Sequence, residues 1–324
     1  MNNYSLFIKI IIMEKRKLTK TNRKAMIFCL LMVAYPVIHW LIFYVYANLN
    51  SFALAFKRYD ISSGQQVFLP FSGLFENFKK FFRDFFSSSS TVDLPSYFLR
   101  GALMHLCGLA AFPVGLVFAY LIYKKVPLSG TYKVILYLPA VVSGMVITLL
   151  FKYIIERAAP GVLRIFGNDS FPLLLSRIET AFPTIIIYSV WMGFPGSIVL
   201  NVGTMSRVPK DLIEYGEIEG ISWFQEFYKI ILPLMYPLLT VMLLGVFVGF
   251  FTAQGPLFAL YSEMAGEHVT TFGYYMFTRV IGRNASPAFY GYTAAANMLI
   301  GIICVFLVYG TKWVLERFDP GAEF

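Results

Sequence analysis

Side chains able to do chemistry are few in this sequence of 324 residues, and they do not gather in the patterns that catalysis needs. No glycine-rich loop ends in Gly-Lys-Ser/Thr, so the chain has no cradle for a nucleotide triphosphate. It also has no H-E-x-x-H pair, no G-x-S-x-G elbow and no Cys/His cluster at metal-ligand spacing. Cys29, Cys107 and Cys304 each fall inside an apolar run, where packing is their expected role. His39 and His105 are the imidazoles inside long apolar runs. A proton relay would use such groups, yet no Asp or Glu sits in the middle of any run, and ion-coupled carriers normally need carboxylates at membrane depth. Neutral histidines bonded to a neighbouring helix carbonyl are the expectation. An ion-coupled secondary transporter of a small polar solute is the runner-up reading, with an intramembrane enzyme behind it.

One stretch has the spacing of a docking element. Val208 to Pro233 is long and charge-rich, and it lies between two strongly apolar runs. Its first part, from Pro209 to Ile218, places Leu212 and Ile213 among acidic residues and reads as a short helix with one apolar face. Gly216 and Gly220 should weaken or end it, because each glycine costs a helix about 1 kcal/mol relative to alanine. A second helix should start near Ser222, carry Trp223, Phe224, Phe227 and Ile230 at helical spacing, and run into Pro233. Two short helices bent around a glycine suit a groove on another protein, with apolar anchors and orienting charges.

That stretch resembles the EAA loop of binding-protein-dependent ABC importer permeases. Glu214, Gly220, Ile230, Leu232 and Pro233 match the motif at its fixed distances, while Tyr215 and Gly216 stand where the family has alanines. The resemblance implies that Leu212, Ile213, Glu214, Tyr215, Gly216 and Gly220 form a coupling helix that docks on an ATPase subunit. Lys124 to Ser143 is similar to the second cytoplasmic loop and third span of the larger subunit of maltose-type permease pairs. Asn50 to Asp60 and Gly73 to Phe82 resemble the entry after the first span of sugar permeases. The similarity runs from about Ala25 to Pro320.

The surrounding elements agree with a polytopic membrane protein. The chain is 58% hydrophobic and 14% charged, with a mean hydropathy of +0.66, far from the roughly one-quarter charged residues of soluble domains. Six runs, from Ala25 to Ala47, Phe98 to Tyr123, Tyr132 to Ile154, Ala181 to Val202, Ile230 to Gln254 and Tyr292 to Val314, each supply the roughly 20 apolar residues that a helix needs to cross a bilayer. The net charge of +9 concentrates at the ends of these runs, which points to orientation and not to nucleic acid. Lys124, Lys125, Lys133, Arg207, Lys210, Lys229, Lys312 and Arg317 join the basic N-terminal cluster on one side. Positive-inside bias thus puts the 203–229 loop and both termini in the cytoplasm of a bacterial-type plasma membrane, with loop 48–97 outside. Residues 1–24 form a basic segment, 25–316 the permease domain and 317–324 a tail. Met13 starts a second plausible membrane-protein beginning. Small residues recur every four positions at Ala111, Gly115 and Ala119 and at Ala140, Gly144 and Thr148, where helices could approach closely. Pro113, Pro139, Pro195 and Pro237 should introduce kinks.

The expected fold is an all-α polytopic protein with six spans, of the type I ABC importer permease class. The expected role is passage of a mono- or oligosaccharide delivered by an extracytoplasmic binding protein. By resemblance the partners are a homologous second permease, two ATPase subunits and the lipid bilayer. ATP and Mg belong to the ATPase subunits, and no cofactor or metal is expected on this chain. For the substrate path, Gly193, Phe194, Pro195 and Gly196 should distort the fourth span and free backbone groups, which membranes tolerate only beside protein or a water-filled cavity. Ser189, Met192, Gly193 and Gly196 on that span and Phe247, Phe250 and Gln254 on the fifth are the expected path residues. Aromatic faces beside a few polar groups suit a sugar.

Overall fold

The computed structural model describes residues 23–87, 92–167, 172–193, 195–252, 254–282, 285–319 and 321. The Gly-Phe-Pro-Gly segment is therefore described except for Phe194. Helix α1 (Arg23–Ala55) is 33 residues long and is followed by a hairpin, β1 (Lys57–Asp60) and β2 (Gln65–Phe68), and by α2 (Glu76–Phe86). Then come α3 (Leu94–Ala110), α4 (Phe112–Tyr123), α5 (Ser129–Val141), α6 (Gly144–Ile165), α7 (Ile178–Gly193) and α8 (Pro195–Met205). The remainder is α9 (Lys210–Ile218), α10 (Trp223–Leu234), α11 (Tyr236–Thr252), α12 (Leu257–Tyr261), α13 (Phe272–Val280) and α14 (Tyr290–Glu316).

Four helical stretches are long and apolar enough to cross a membrane: Arg23–Ala55, Leu94–Tyr123, Ile178–Met205 and Pro287–Glu316. Two bent pairs bring the number to six. The bends fall where Pro139 and Pro237 are expected to introduce kinks, and they are sharp. α5 and α6 meet at 103°, and α10 and α11 at 71°. Pro139 lies inside α5, where it removes one helical donor, and Val142 and Ser143 then turn extended. The second bend falls at Met235, where Pro237 two residues on has no N–H to donate to the Pro233 carbonyl and its ring crowds that carbonyl. The stripe of Ala111, Gly115 and Ala119 is buried as expected. The one at Ala140, Gly144 and Thr148 does not form, because the 103° bend cuts it and leaves only Thr148 buried.

Local signals set the ends of several helices. Asp93 caps α3 by accepting from the Ser96 amide, and Thr271 caps α13 by accepting from that of Tyr274. Segment 48–97, expected as a loop, is partly built. α1 continues to Ala55, and the hairpin pairs Lys57 with Phe68. Asn77 Nδ2 donates to the carbonyls of Ala55 at 2.8 Å and Lys57 at 2.9 Å. One face of α2 is buried, with Phe81 beside Tyr97, Phe272 and Tyr292 and Phe78 beside Ala55 and Ala295. At the opposite end of the bundle a second cluster joins Leu116, Ala119, Tyr120, Ile198, Met205, Ile231 and Met235. The Tyr261 hydroxyl donates to the Leu175 carbonyl at 2.8 Å, and burial, with Glu156 adding repulsion, raises its pKa to about 12, so this tie persists at any physiological pH.

Candidate functional site

Two places gather the sequence-predicted residues, and the first is an elbow made by α9 and α10. α9 ends in a Schellman motif: Gly220 takes φ +72°, its amide donates to the Glu217 carbonyl, and the Ile221 amide reaches back to that of Gly216, both at 3.1 Å. Gly216 does not end the helix. It is the buried residue of α9, and a Cβ there would lie 2.5 Å from Ile221 Cδ1, so the side chain after the turn packs directly on it. Ser222 and Gln225 then form a reciprocal capping box that starts α10. Ile213 packs against the cluster beneath, whereas Glu214 is exposed and so are Leu212, Tyr215, Ile218, Trp223 and Phe224. An exposed apolar rim on a firmly capped elbow is the shape of a docking surface.

The elbow is held to the bundle by Lys124, read from the sequence only as an orienting charge, and by Tyr120 and Glu226, which the sequence did not single out. Lys124, just beyond α4, puts its Nζ 2.9 Å from Glu226 Oε2 and 3.7 Å from Glu217 Oε1. The Glu226 side chain is 3% exposed, and its Oε1 has no partner among the described residues. The Tyr120 hydroxyl donates to the Trp223 carbonyl at 3.0 Å, and its ring lies 4.9 Å from that of Phe227. The spacing of Tyr120 and Lys124, one turn apart at the end of an apolar run, was the only available signal.

The second place is a cavity of about 460 Å³ between α3, α7, α8 and α11, which brings together Ser189, Met192, Gly193 and Gly196. Its volume falls in the roughly 300–1,000 Å³ range of small-molecule sites. Two close helix contacts shape it. At Gly193 a Cβ would lie 2.8 Å from the Gly108 carbonyl oxygen, so α7 and α3 touch through backbone. At Gly249 a Cβ would lie 2.5 Å from His105 Nε2, so the imidazole lies against bare α11 backbone. His105 Nδ1 is 3.1 Å from the Gly101 carbonyl of its own helix, and since a carbonyl only accepts, the ring hydrogen sits on Nδ1. The bond is thus within α3 and not to a neighbouring helix. Ser189 Oγ donates to Ile185 O at 2.9 Å, leaving lone pairs to accept.

The fifth-span residues stand differently from the expectation. Met242 and Val246 line the cavity, and Phe247, Phe250 and Gln254 are not among its lining residues. Phe250 meets His105 edge to face at 6.0 Å and Phe247 at 5.4 Å, so both rings form the layer behind the wall. Gln254 lies past the end of α11. A wider groove of about 1220 Å³ runs between α1 and α14, lined by Asn48, Ser51, Thr293 and Asn297 among apolar residues, and contains none of the expected path residues. No group of three or more metal-ligating side chains occurs among the described residues.

A helical bundle with several membrane-crossing segments, an open cavity between its helices and a protruding, apolar-rimmed elbow defines a multi-pass membrane protein. Residues 111–319 match the family described as binding-protein-dependent transport system inner membrane component, well over half the chain, and the protein belongs to that family. The maltose/maltodextrin transport system permease protein MalF of Klebsiella aerogenes is 32% identical over 138 residues, covering 41% of this chain and 27% of the relative. MalF of Vibrio vulnificus (strain YJ016) is 30% identical over 166 residues, covering 47% and 32%. The matched region thus spans about a third or less of these curated relatives. Among solved structures, a chain of a bacterial ABC transporter involved in the import of the acidic polysaccharide alginate superposes with a TM-score of 0.68 at 20% identity, over 93% of this chain and 99% of that one. A chain of the bacterial alginate ABC transporter in complex with an alginate pentasaccharide-bound periplasmic protein gives 0.67 at 19%. The fold is that of a type I importer permease.

Proposed function

We propose that this protein is the membrane-spanning subunit of an ATP-driven importer for a mono- or oligosaccharide delivered by an extracytoplasmic binding protein. The observation that carries the reading is the elbow. Tyr215, Ile218, Trp223 and Phe224 are exposed on a capped, two-helix projection whose base is tied into the bundle, as a docking element for a separate ATPase requires. The family match, the MalF relatives and the alginate importer fold support the substrate class and the binding-protein partner. In this reading the elbow and both termini face the cytoplasm. A homologous second permease closes the pathway, and ATP with Mg acts on two ATPase subunits. ATP-driven closure of those subunits carries the elbows inward and turns the permease pair from inward-facing to outward-facing. In the cavity, the apolar wall takes the CH faces of a sugar ring while the Ser189 hydroxyl meets a sugar hydroxyl.

The test is purification of the complex from cells expressing this chain with its partners, followed by uptake into vesicles across a sugar panel. ATP-dependent uptake of at least one saccharide that requires the binding protein supports the reading. Uptake driven by an ion gradient without ATP would replace it with a secondary carrier.

A further inference from the structure

The elbow and the cavity lie at different levels of the bundle, and the end of α4 joins them. Lys124 follows α4 directly, and α4 with α3 makes a 30-residue span that also supplies Gly108 and Phe112 to the cavity wall. From that position the Lys124 ammonium reaches both halves of the elbow, Glu217 on α9 and Glu226 on α10. The two contacts differ in kind. Glu217 is 64% exposed and water screens it, whereas Glu226 is 3% exposed and Lys124 itself 13%. Separating so deeply buried a pair leaves each charge without its compensating partner, so it resists separation far more than a surface ion pair does. Tyr120, one turn before Lys124, holds the Trp223 carbonyl at the start of α10.

We propose that Lys124 and Glu226 are positioning residues that lock the elbow and the α3–α4 span into one rigid body, so that displacement of the elbow moves the cavity wall at Gly108 and Phe112. The proposal rests on the importer reading, in which a nucleotide-driven partner displaces the elbow. Without the pair, the elbow still docks through its exposed rim but slides on the end of α4, and hydrolysis runs without moving the wall.

The experiment uses the complete complex with its ATPase subunits, and Mg-ATP with vanadate as the probe. On a background with Cys29, Cys107 and Cys304 replaced by alanine, nitroxides at Lys229, outside the docking rim, and at Leu128, both exposed, report the distance between the elbow and the α4–α5 turn. Separately, Ser189→Cys reports access to the cavity through its rate of labelling by an aqueous thiol reagent. The expected result is one narrow Lys229–Leu128 distance that is the same with and without vanadate trapping, and a labelling rate that changes on trapping. Glu226→Gln should broaden the distance distribution and reduce the trapping-induced change in labelling by about tenfold, while vanadate trapping itself persists. The double change Lys124→Glu with Glu226→Lys should restore both. A Lys229–Leu128 distance that shifts between nucleotide states in the parent overturns the rigid link whatever the variants do, including a variant that fails to assemble. A full labelling response in Glu226→Gln overturns it as well. A parent complex that traps no nucleotide overturns the importer reading itself, a result distinct from either.

Discussion

Replacing Gly193 with alanine is expected to destabilise the bundle, while the same replacement at Gly196, three residues on, is not. At Gly193 the added Cβ would lie 2.8 Å from the Gly108 carbonyl oxygen and 3.5 Å from Ala111 Cβ, where ordinary contact begins at 3.4 Å. The opposing atom is backbone, so no side chain can swing away, and α3 and α7 must part by about 0.6 Å. Overpacking of this kind costs about 1–3 kcal/mol. Alanine recovers up to about 1 kcal/mol of helix propensity, and less here because Gly193 closes α7. At Gly196 nothing lies within 4 Å of the added Cβ, so only the propensity gain remains. The two variants should therefore differ by about 2 kcal/mol, or roughly 3 °C in unfolding midpoint for a chain of this size. Thermal unfolding of the detergent-solubilised protein, followed by tryptophan fluorescence, measures the difference. Both residues line the same cavity, so a methyl group intrudes on it in either case and binding effects do not separate the pair. Equal midpoints, or a higher one for Gly193→Ala, would refute the backbone contact.

Glu214→Ala should leave folding unchanged, since the side chain is exposed, but should lower ATP hydrolysis and transport by the assembled complex; an unaltered substrate-stimulated rate would remove Glu214 from the docking surface. Gly220→Ala forces an L side chain to φ +72° and should cost about 1–2 kcal/mol of elbow stability, read as faster proteolysis between α9 and α10. Asn77→Ala leaves the carbonyls of Ala55 and Lys57 without their donor and should cost about 1–3 kcal/mol, seen as earlier cleavage at the exposed hairpin tip. Cysteines at Ser189 and Gly196 should react with aqueous thiol reagents in at least one nucleotide state, because both line the cavity.

The spans were legible because crossing a membrane imposes a length and a composition that no local detail can hide. The fourth, read as Ala181 to Val202, emerges as Ile178–Met205. The bends were not legible to the same degree. Hydropathy stays high on both sides of Val142 and Ser143, and a proline three residues earlier marks a weak point without saying that the chain turns through 103°. Glu226 was hidden for a different reason. In a charged loop a glutamate reads as solvated, and its burial depends on Lys124, which is distant in sequence. On α7 the expected path residues gathered because one helix face is fixed by its own period.

On α11 periodicity gave a shared face for Phe247, Phe250 and Gln254 but not which way the helix is turned. That rotation is set by Gly249. With no side chain there, the His105 ring of α3 lies against the α11 backbone, and the adjacent Phe250 meets the imidazole edge to face instead of entering the cavity. Met242 and Val246 are left to form the wall. A substrate in this cavity therefore meets Phe250 only through His105, and truncating Phe250 alters the site by freeing the imidazole, not by removing a stacking face. Phe250→Leu, which keeps apolar bulk behind the ring, should then transport nearly as well as the parent, while Phe250→Ala should not. Equal losses in the two variants would mean that the aromatic face itself meets the sugar.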